Sequence, residues 1–328
     1  MILTGSQARV VQLHPTRRCN LECLHCYSMS GPSLRAELPL EVLAPLIDDA
    51  AAEGYNVVSV SGGEPLLYRA LPELLDAAAA AGMATTVVSN GTVLTEARVE
   101  RLVGRVGLLV VSVDGAPATH DRMRGRAGAF ALLEAGLEHV VAAGLPFGVI
   151  FTMSRDSAPE LPWVARFAAE RGASVLQIHA LEEAGRAVLR LAGAAPGPAV
   201  NAATWVAAAH LRRVYAGRMT VHVDIVDRAD LAAVEPRRPA DVVDAPLASL
   251  VSPLVVEADG VVVPLQYGFP RRHALGSVLL ARLRDLVPRW RAEEFLDFQA
   301  ACGRAFAQLR QPVELPFVSL YQELTRRV

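Results

Sequence analysis

At 328 residues and 35.0 kDa, the chain is the size of two average domains or of one α/β barrel with an appendage, and it can bury a full core. Its 32 basic residues, all arginine, nearly balance 34 acidic ones, giving a formal charge of −2 and a pI near 6.5. That balance excludes a protein organised round a basic, phosphate-neutralising stripe, so no nucleic-acid partner is expected. Mean hydropathy is +0.30, yet the longest uncharged stretch, residues 191–211, is broken by Gly193, Pro196, Gly197, Pro198, Asn201 and His210 and does not suit a bilayer. The N-terminal residues show no signal-peptide pattern. Four cysteines, three of them within eight residues, make a poor disulfide framework and point to metal binding in a reducing compartment. A cytoplasmic protein without membrane segments is expected.

Short β-branched runs at 9–14, 55–60, 83–88, 107–113, 147–152 and 174–180 are the strand candidates. Ala/Leu-rich amphipathic segments at 39–53, 71–81, 95–103, 127–143 and 159–171 alternate with them as helices. Several helices close on a glycine (Gly54, Gly82, Gly144, Gly172), as a left-handed C-terminal cap requires. Six βα units in one direction predict a parallel sheet, either a partial (β/α)6 barrel of the TIM type or a doubly wound open sheet. Both topologies place functional residues at the carboxyl ends of the strands. The segment 191–204 reads as a linker between a core (1–190) and a smaller α+β unit (205–328). Helix 204–216, strand 219–226 and a hairpin turning at Asp259-Gly260 follow it.

The first strand is followed by Cys19, Cys23 and Cys26 at C-x3-C-x2-C spacing. Three thiolates on one short loop suit an iron–sulfur cluster. Zinc is the alternative, with His14 or His25 as fourth ligand, and a Cys23/Cys26 redox dithiol is a third.

With Tyr27 directly after the third cysteine, the loop resembles the signature of the radical S-adenosylmethionine (SAM) enzymes. Further matches follow in order at strand ends: Ser61-Gly62-Gly63-Glu64-Pro65, Ser89-Asn90-Gly91, Ser112-Val113-Asp114-Gly115 and His120-Asp121-Arg122-Met123-Arg124-Gly125. The resemblance covers about 1–190 strongly and 245–310 weakly. It implies one 4Fe–4S cluster on Cys19, Cys23 and Cys26, with SAM on the remaining iron. It also implies reductive cleavage of SAM to a 5′-deoxyadenosyl radical that takes a substrate hydrogen, with an external electron donor such as flavodoxin or ferredoxin. Gly62 and Gly63 are expected to let the backbone approach the methionine moiety. Glu64 would accept from the SAM ammonium. Ser89 and Asn90 would bond the ribose or cap the next helix, and Ser112 the ribose or carboxylate. Arg124 would meet the carboxylate or the substrate, Tyr27 would pack by the adenine or in the core, and Arg186 would lie near SAM. Asp114 with Gly115 reads as a turn.

Residues 252–265, with Tyr267-Gly268 and Leu275-Gly276, resemble the SPASM or twitch extension of these enzymes. Leu265 stands where that extension carries a cysteine, so no thiolate-bound auxiliary cluster is expected. Redox-neutral chemistry follows as the expectation: decarboxylation, epimerisation or elimination on a small natural product such as a sugar-nucleoside, with a ribosomal peptide as the alternative substrate. Cys302, the remaining thiol, is either a packing residue or a hydrogen-atom donor. His179, Glu182, Tyr267, Arg271, Arg272 and His273 are unranked candidates for the barrel mouth.

Overall fold

The computed structural model describes residues 8–233, 245–311 and 313–328. Six parallel strands form in sequence order: β1 (Val10–Leu13), β2 (Val57–Val60), β3 (Ala84–Ser89), β4 (Leu108–Ser112), β5 (Phe147–Met153) and β6 (Val175–Ala180). Between them run α1 (Leu40–Ala52), α2 (Leu71–Ala80), α3 (Glu96–Glu100), α4 (Pro117–Arg124), α5 (Ala129–Ala142) and α6 (Leu161–Glu170). Every expected βα unit is present, and each of the four capping glycines has positive φ. The order of strands is linear, so the sheet is an open, partial barrel.

The expected helix at 127–143 is preceded by α4, which the sequence reading did not separate from its loop. Gly125 and Gly128 both adopt the left-handed conformation there, at φ 65° and 76°. The Asp121 carboxylate then accepts from the backbone N–H groups of Gly128 (2.6 Å) and Phe130 (2.8 Å), starting α5 anew. α3 is shorter than expected, because turns replace its last residues.

Past β6, α7 (Arg186–Arg190) leads to α8 (Pro198–Val214), so residues 198–204 of the expected linker are helical. Pro198 opens α8, where a missing N–H costs nothing. The expected strand 219–226 divides at Asp224 into β7 (Thr220–Val223) and β8 (Ile225–Asp227). After α9 (Leu247–Leu250), the Asp259-Gly260 turn joins β9 (Leu254–Val256) to β10 (Val261–Pro264), as the sequence predicts. β11 (Gly276–Ser277), α10 (Leu283–Glu293), α11 (Phe295–Leu309), β12 (Phe317–Ser319) and α12 (Leu320–Arg327) complete the chain.

The sheet crosses the expected 191–204 boundary. β7 pairs in parallel with β6, β9 pairs in parallel with β1, and β10 and β11 extend that edge antiparallel. The ten strands thus run β11-β10-β9-β1-β2-β3-β4-β5-β6-β7, while β8 and β12 pair separately. Covering both edges of the six-strand sheet satisfies backbone groups that would otherwise be left open.

Side chains alternate between the faces. Val11, Leu13, Val87, Leu176 and Ile178 are fully buried in the main apolar core. The opposite face carries a half-buried polar row: Gln12 beside Ser59, Ser59 beside Thr86, Thr152 beside His179, and Gln177 beside His222. No described helix is long and apolar enough to cross a membrane.

Leu13, buried between β2 and β9 at the strand that carries the cysteine loop, anchors this arrangement. Leu13→Ala should cost about 2–5 kcal/mol from lost transfer energy and the cavity left behind. Urea unfolding of the metal-free protein measures it.

Candidate active site

The cysteine loop leaves β1 at the carboxyl edge of the sheet. It is held from outside by residues 31–36: Arg17 N–H donates to Ala36 O (3.0 Å), Cys19 N–H to Gly31 O (3.2 Å) and Gly31 N–H to Arg17 O (3.2 Å). Cys19, Leu21, Cys23 and the partly buried Cys26 form a small apolar cluster of their own. Burial raises the Cys19 thiol to about 12, with the Glu64 charge adding to it, and raises Cys23 as well. These thiols become thiolates when a metal supplies the compensating charge.

Each sulfur has a polar neighbour. Asn90 Nδ2 lies 3.8 Å from Cys19 Sγ, Arg124 Nη1 3.7 Å from Cys23 Sγ, and Ser28 Oγ 3.5 Å from Cys26 Sγ. Donors of this kind tune the charge of an iron–sulfur cluster.

The glycines of the Ser61–Pro65 turn pack on this loop. A Cβ on Gly63 would lie 2.1 Å from Arg18 O, and one on Gly62, whose φ is +115°, 2.7 Å from Thr16 O. The turn is bonded there as well: Gly63 N–H to Thr16 O (2.7 Å) and Glu64 N–H to Arg18 O (2.9 Å). A close approach that excludes a side chain is thus made to the cysteine-loop backbone.

Glu64 is fully buried. Its Oε1 accepts from Ser89 Oγ (2.9 Å) and Leu66 N–H (3.1 Å), and its Oε2 from Asn90 N–H (2.8 Å). Burial pushes its pKa up and these donors oppose the push. Asn90 is committed through its side chain too, donating to Asn20 Oδ1 (3.0 Å) and accepting from Thr92 Oγ1 (2.6 Å). Ser89 and Asn90 thus tie the end of β3 to Glu64 and to the cysteine loop.

Asp114, read from sequence as a turn residue, is instead the centre of a buried network. Its Oδ2 forms an ion pair with Arg124, 2.8 Å from Nε, and contacts His25 Nε2 (3.0 Å), and its backbone N–H donates to His120 Nδ1 (3.2 Å). Burial alone would raise the Asp114 pKa, but Arg124 and His25 hold it well below the usual carboxylate range. Arg124 is buried against Asp114 and Cys23, contrary to its usual exposed state.

Arg186 clamps the cysteine loop. Its Nη1 donates to Cys23 O (2.8 Å), its Nη2 to Ser30 O (2.8 Å) and its backbone N–H to Cys26 O (2.9 Å). Gly185 before it has φ +55°, and a Cβ there would meet Tyr27 O at 2.3 Å. Tyr27 shares a hydrogen bond with Ser61 Oγ (3.2 Å) and edges onto His14 and Tyr267. Ser112 ends β4 on the half-buried face beside Ile150.

Cys302 lies on α11 against the main apolar core, not in the cysteine-loop cluster, and burial raises its thiol to about 11. Among the barrel-mouth candidates, His179 Nδ1 contacts Asp224 Oδ2 between the ends of β6 and β7. Glu182 is pushed up to about 7 by burial, against the pull of Arg326. Arg271 pairs with Glu257 and Asp259, while Arg272 and His273 line a separate cavity with Glu294, Asp297 and Arg304.

The donor set suits a cluster better than zinc. His25 is held by Asp114 and is not free to serve as a fourth ligand. Among the described residues, no three His, Cys, Asp or Glu converge closely enough for a single ion. A cube of four irons is wider than one ion, and three thiolates leave one of its irons free.

Residues 13–168, just under half of the chain, match the family model described as the radical SAM superfamily, and this segment is a radical SAM domain. The domain's cofactors are a 4Fe–4S cluster and SAM. Among curated relatives, the chain is 36% identical over 156 residues to the Fe-coproporphyrin III synthase of Methanosarcina barkeri, covering 47% of this chain and 39% of that protein. It is 32% identical over 177 residues to the sporulation killing factor maturation protein SkfB of Bacillus subtilis, covering 53% and 43%. The chain thus spans about half the length of the curated relatives it matches. The fold is similar to SuiB of Streptococcus suis bound to S-adenosylmethionine, at a TM-score of 0.64 and 15% identity, over 93% of this chain and 68% of that one.

The buried Asp114–Arg124 pair generates a prediction. Asp114→Asn leaves the Arg124 charge uncompensated and should cost about 3–5 kcal/mol at neutral pH. A carboxylate with a depressed pKa contributes stability that is present above about pH 4 and lost as pH falls. Wild-type stability should therefore decline more steeply than the variant's below that pH. Equilibrium unfolding at a series of pH values measures both effects.

Proposed function

We propose that the protein is a radical SAM enzyme, with 1–190 as its catalytic core and 205–328 as a twitch-like extension. The observation that carries this reading is the packing of the three-cysteine loop against the Gly62-Gly63-Glu64 turn, Asn90 and Arg124 at one sheet edge. Cys19, Cys23 and Cys26 would hold the 4Fe–4S cluster. When bound, the cluster and SAM supply one-electron cleavage of the sulfonium and a carbon radical able to take a substrate hydrogen, the electron coming from a carrier such as flavodoxin or ferredoxin.

The chain's own residues orient these groups. Arg186 fixes the loop by its carbonyls, and Asn90 and Arg124 donate toward two of the sulfurs. Glu64 Oε2 has a single protein donor, which leaves it capacity for the SAM ammonium. Ser112 and Arg124 are assigned to the SAM carboxylate and Tyr27 to the adenine. Ser89 acts on SAM through Glu64.

The reaction we propose is redox-neutral: decarboxylation, epimerisation or elimination. Leu265 ends the β10 segment where a cluster-binding cysteine would stand, and Cys302 alone remains among the residues outside the loop. The substrate is a small natural product in this reading. A peptide is the second reading, favoured by the similarity to SkfB, whose name records a maturation role.

Anaerobic reconstitution tests the assignment. The wild-type protein should turn brown, absorb near ~400 nm and release 5′-deoxyadenosine from SAM after reduction. Alanine at Cys19, Cys23 or Cys26 should abolish both. Retention of iron by the triple variant would refute it. Cys302→Ala should keep iron and reductive SAM cleavage at wild-type levels and cost about 1 kcal/mol or less of stability, as fits a half-buried packing residue.

A further inference from the structure

At the carboxyl end of β1, several polar groups have no partner within the protein. His14, the residue following β1, is 0% exposed, and neither ring nitrogen is hydrogen-bonded. Its ring touches Tyr267 at 4.7 Å and Tyr27 at 5.8 Å between centroids, and the two tyrosines are 5.3 Å apart. Arg17 Nε is buried without a partner, and the Arg17 guanidinium joins none of the salt bridges among the described residues. Its charge acts on Tyr267. Native proteins rarely leave such donors unsatisfied, because each costs about 1–3 kcal/mol when stranded.

The acids nearby do not fill the need. Glu257 is taken by Arg271 and by Gly268 N–H, and Glu182, near Tyr27, is held partly protonated by burial. Burial also keeps His14 neutral, so its ring offers one donor and one acceptor.

We infer that His14, Arg17 and Tyr267 form a subsite for a carboxylate of the substrate. This rests on the radical SAM reading and narrows it to acid-bearing substrates. A guanidinium presents paired N–H groups that match a carboxylate, and Tyr267 O–H and one His14 N–H complete the donor set. The aromatic rings exclude water around it, which strengthens each bond. A propionate of a tetrapyrrole and an acidic group of a peptide carry the same chemistry.

The test uses cluster-loaded protein with SAM bound. One arm titrates coproporphyrin III and its tetramethyl ester by absorbance. The other titrates a fluorescent hexapeptide containing Asp and Glu, and its amidated counterpart with Asn and Gln. In one arm the free acid should bind at least tenfold tighter than the neutral form, and that arm identifies the source of the carboxylate. Arg17→Gln, Tyr267→Phe and His14→Phe should each remove most of that preference, with iron content and SAM affinity unchanged. The first two variants alter half-buried side chains, so the test survives if His14→Phe does not fold. Equal binding of acid and neutral forms, no binding of either acid, or an undiminished preference in the variants would overturn the subsite. Loss of SAM affinity in the variants would overturn it too, by assigning the donors to SAM. Failure of the underlying reading shows separately, as wild-type protein that retains neither iron nor SAM.

Discussion

A loop carrying three cysteines has no regular secondary structure of its own, so its shape comes from what it packs against. Here the Gly62-Gly63 turn supplies that template, with two backbone hydrogen bonds to Thr16 and Arg18 and no room for a Cβ at the contact. Arg186 and Gly185 repeat the device from the end of the sixth βα unit, again bonding loop carbonyls and again excluding a side chain. The loop's main chain is thus held from two distant parts of the sheet, by backbone groups of the glycine turn and by the Arg186 guanidinium and N–H. The bonds from the glycine turn are insensitive to side-chain rotamers, and both sets hold the loop without using the groups a cofactor needs.

Around this frame the protein buries charges that a core designed only for stability would avoid. Glu64, Asp114 and Arg124 are all nearly inaccessible. An ion pair in that position contributes little net stability compared with apolar packing, while loss of one partner is expensive. The return is positional: Asp114 fixes Arg124 beside Cys23, and Glu64 gathers the ends of β2 and β3. Arg124 is thus a desolvated cation 3.7 Å from the Cys23 sulfur.

Much of this was legible in the sequence, and the reasons are physical. The six strands and the glycine-capped helices are local features, set by alternation, period and turn residues. The cysteine spacing and the Gly-Gly-Glu turn lie within short segments, so the resemblance to the radical SAM domain could be read directly. What escaped depends on contacts between segments far apart in the chain. Asp114 looks like a turn until His25 arrives from the cysteine loop and Arg124 from the end of α4. The bonds of Arg186 to the cysteine-loop carbonyls join residues more than 150 positions apart and have no local signature. The split between α4 and α5 needed the Asp121 side chain to cap a helix seven residues on, beyond the usual capping spacing.

The path of the C-terminal segment follows from the sheet rather than from a boundary in composition. Six parallel strands leave two open edges, and the residues after α7 cover both, with β7 on one side and the β9–β11 ribbon on the other. Covering the β1 edge brings Tyr267, just beyond β10, against His14 and Tyr27. Covering the β6 edge sets Asp224 beside His179. The strands that complete the sheet's hydrogen bonding therefore also furnish side chains at its carboxyl end. A segment recruited for backbone pairing thereby shapes the half-buried polar face, and substitutions in it reach the site without touching the cysteine motif.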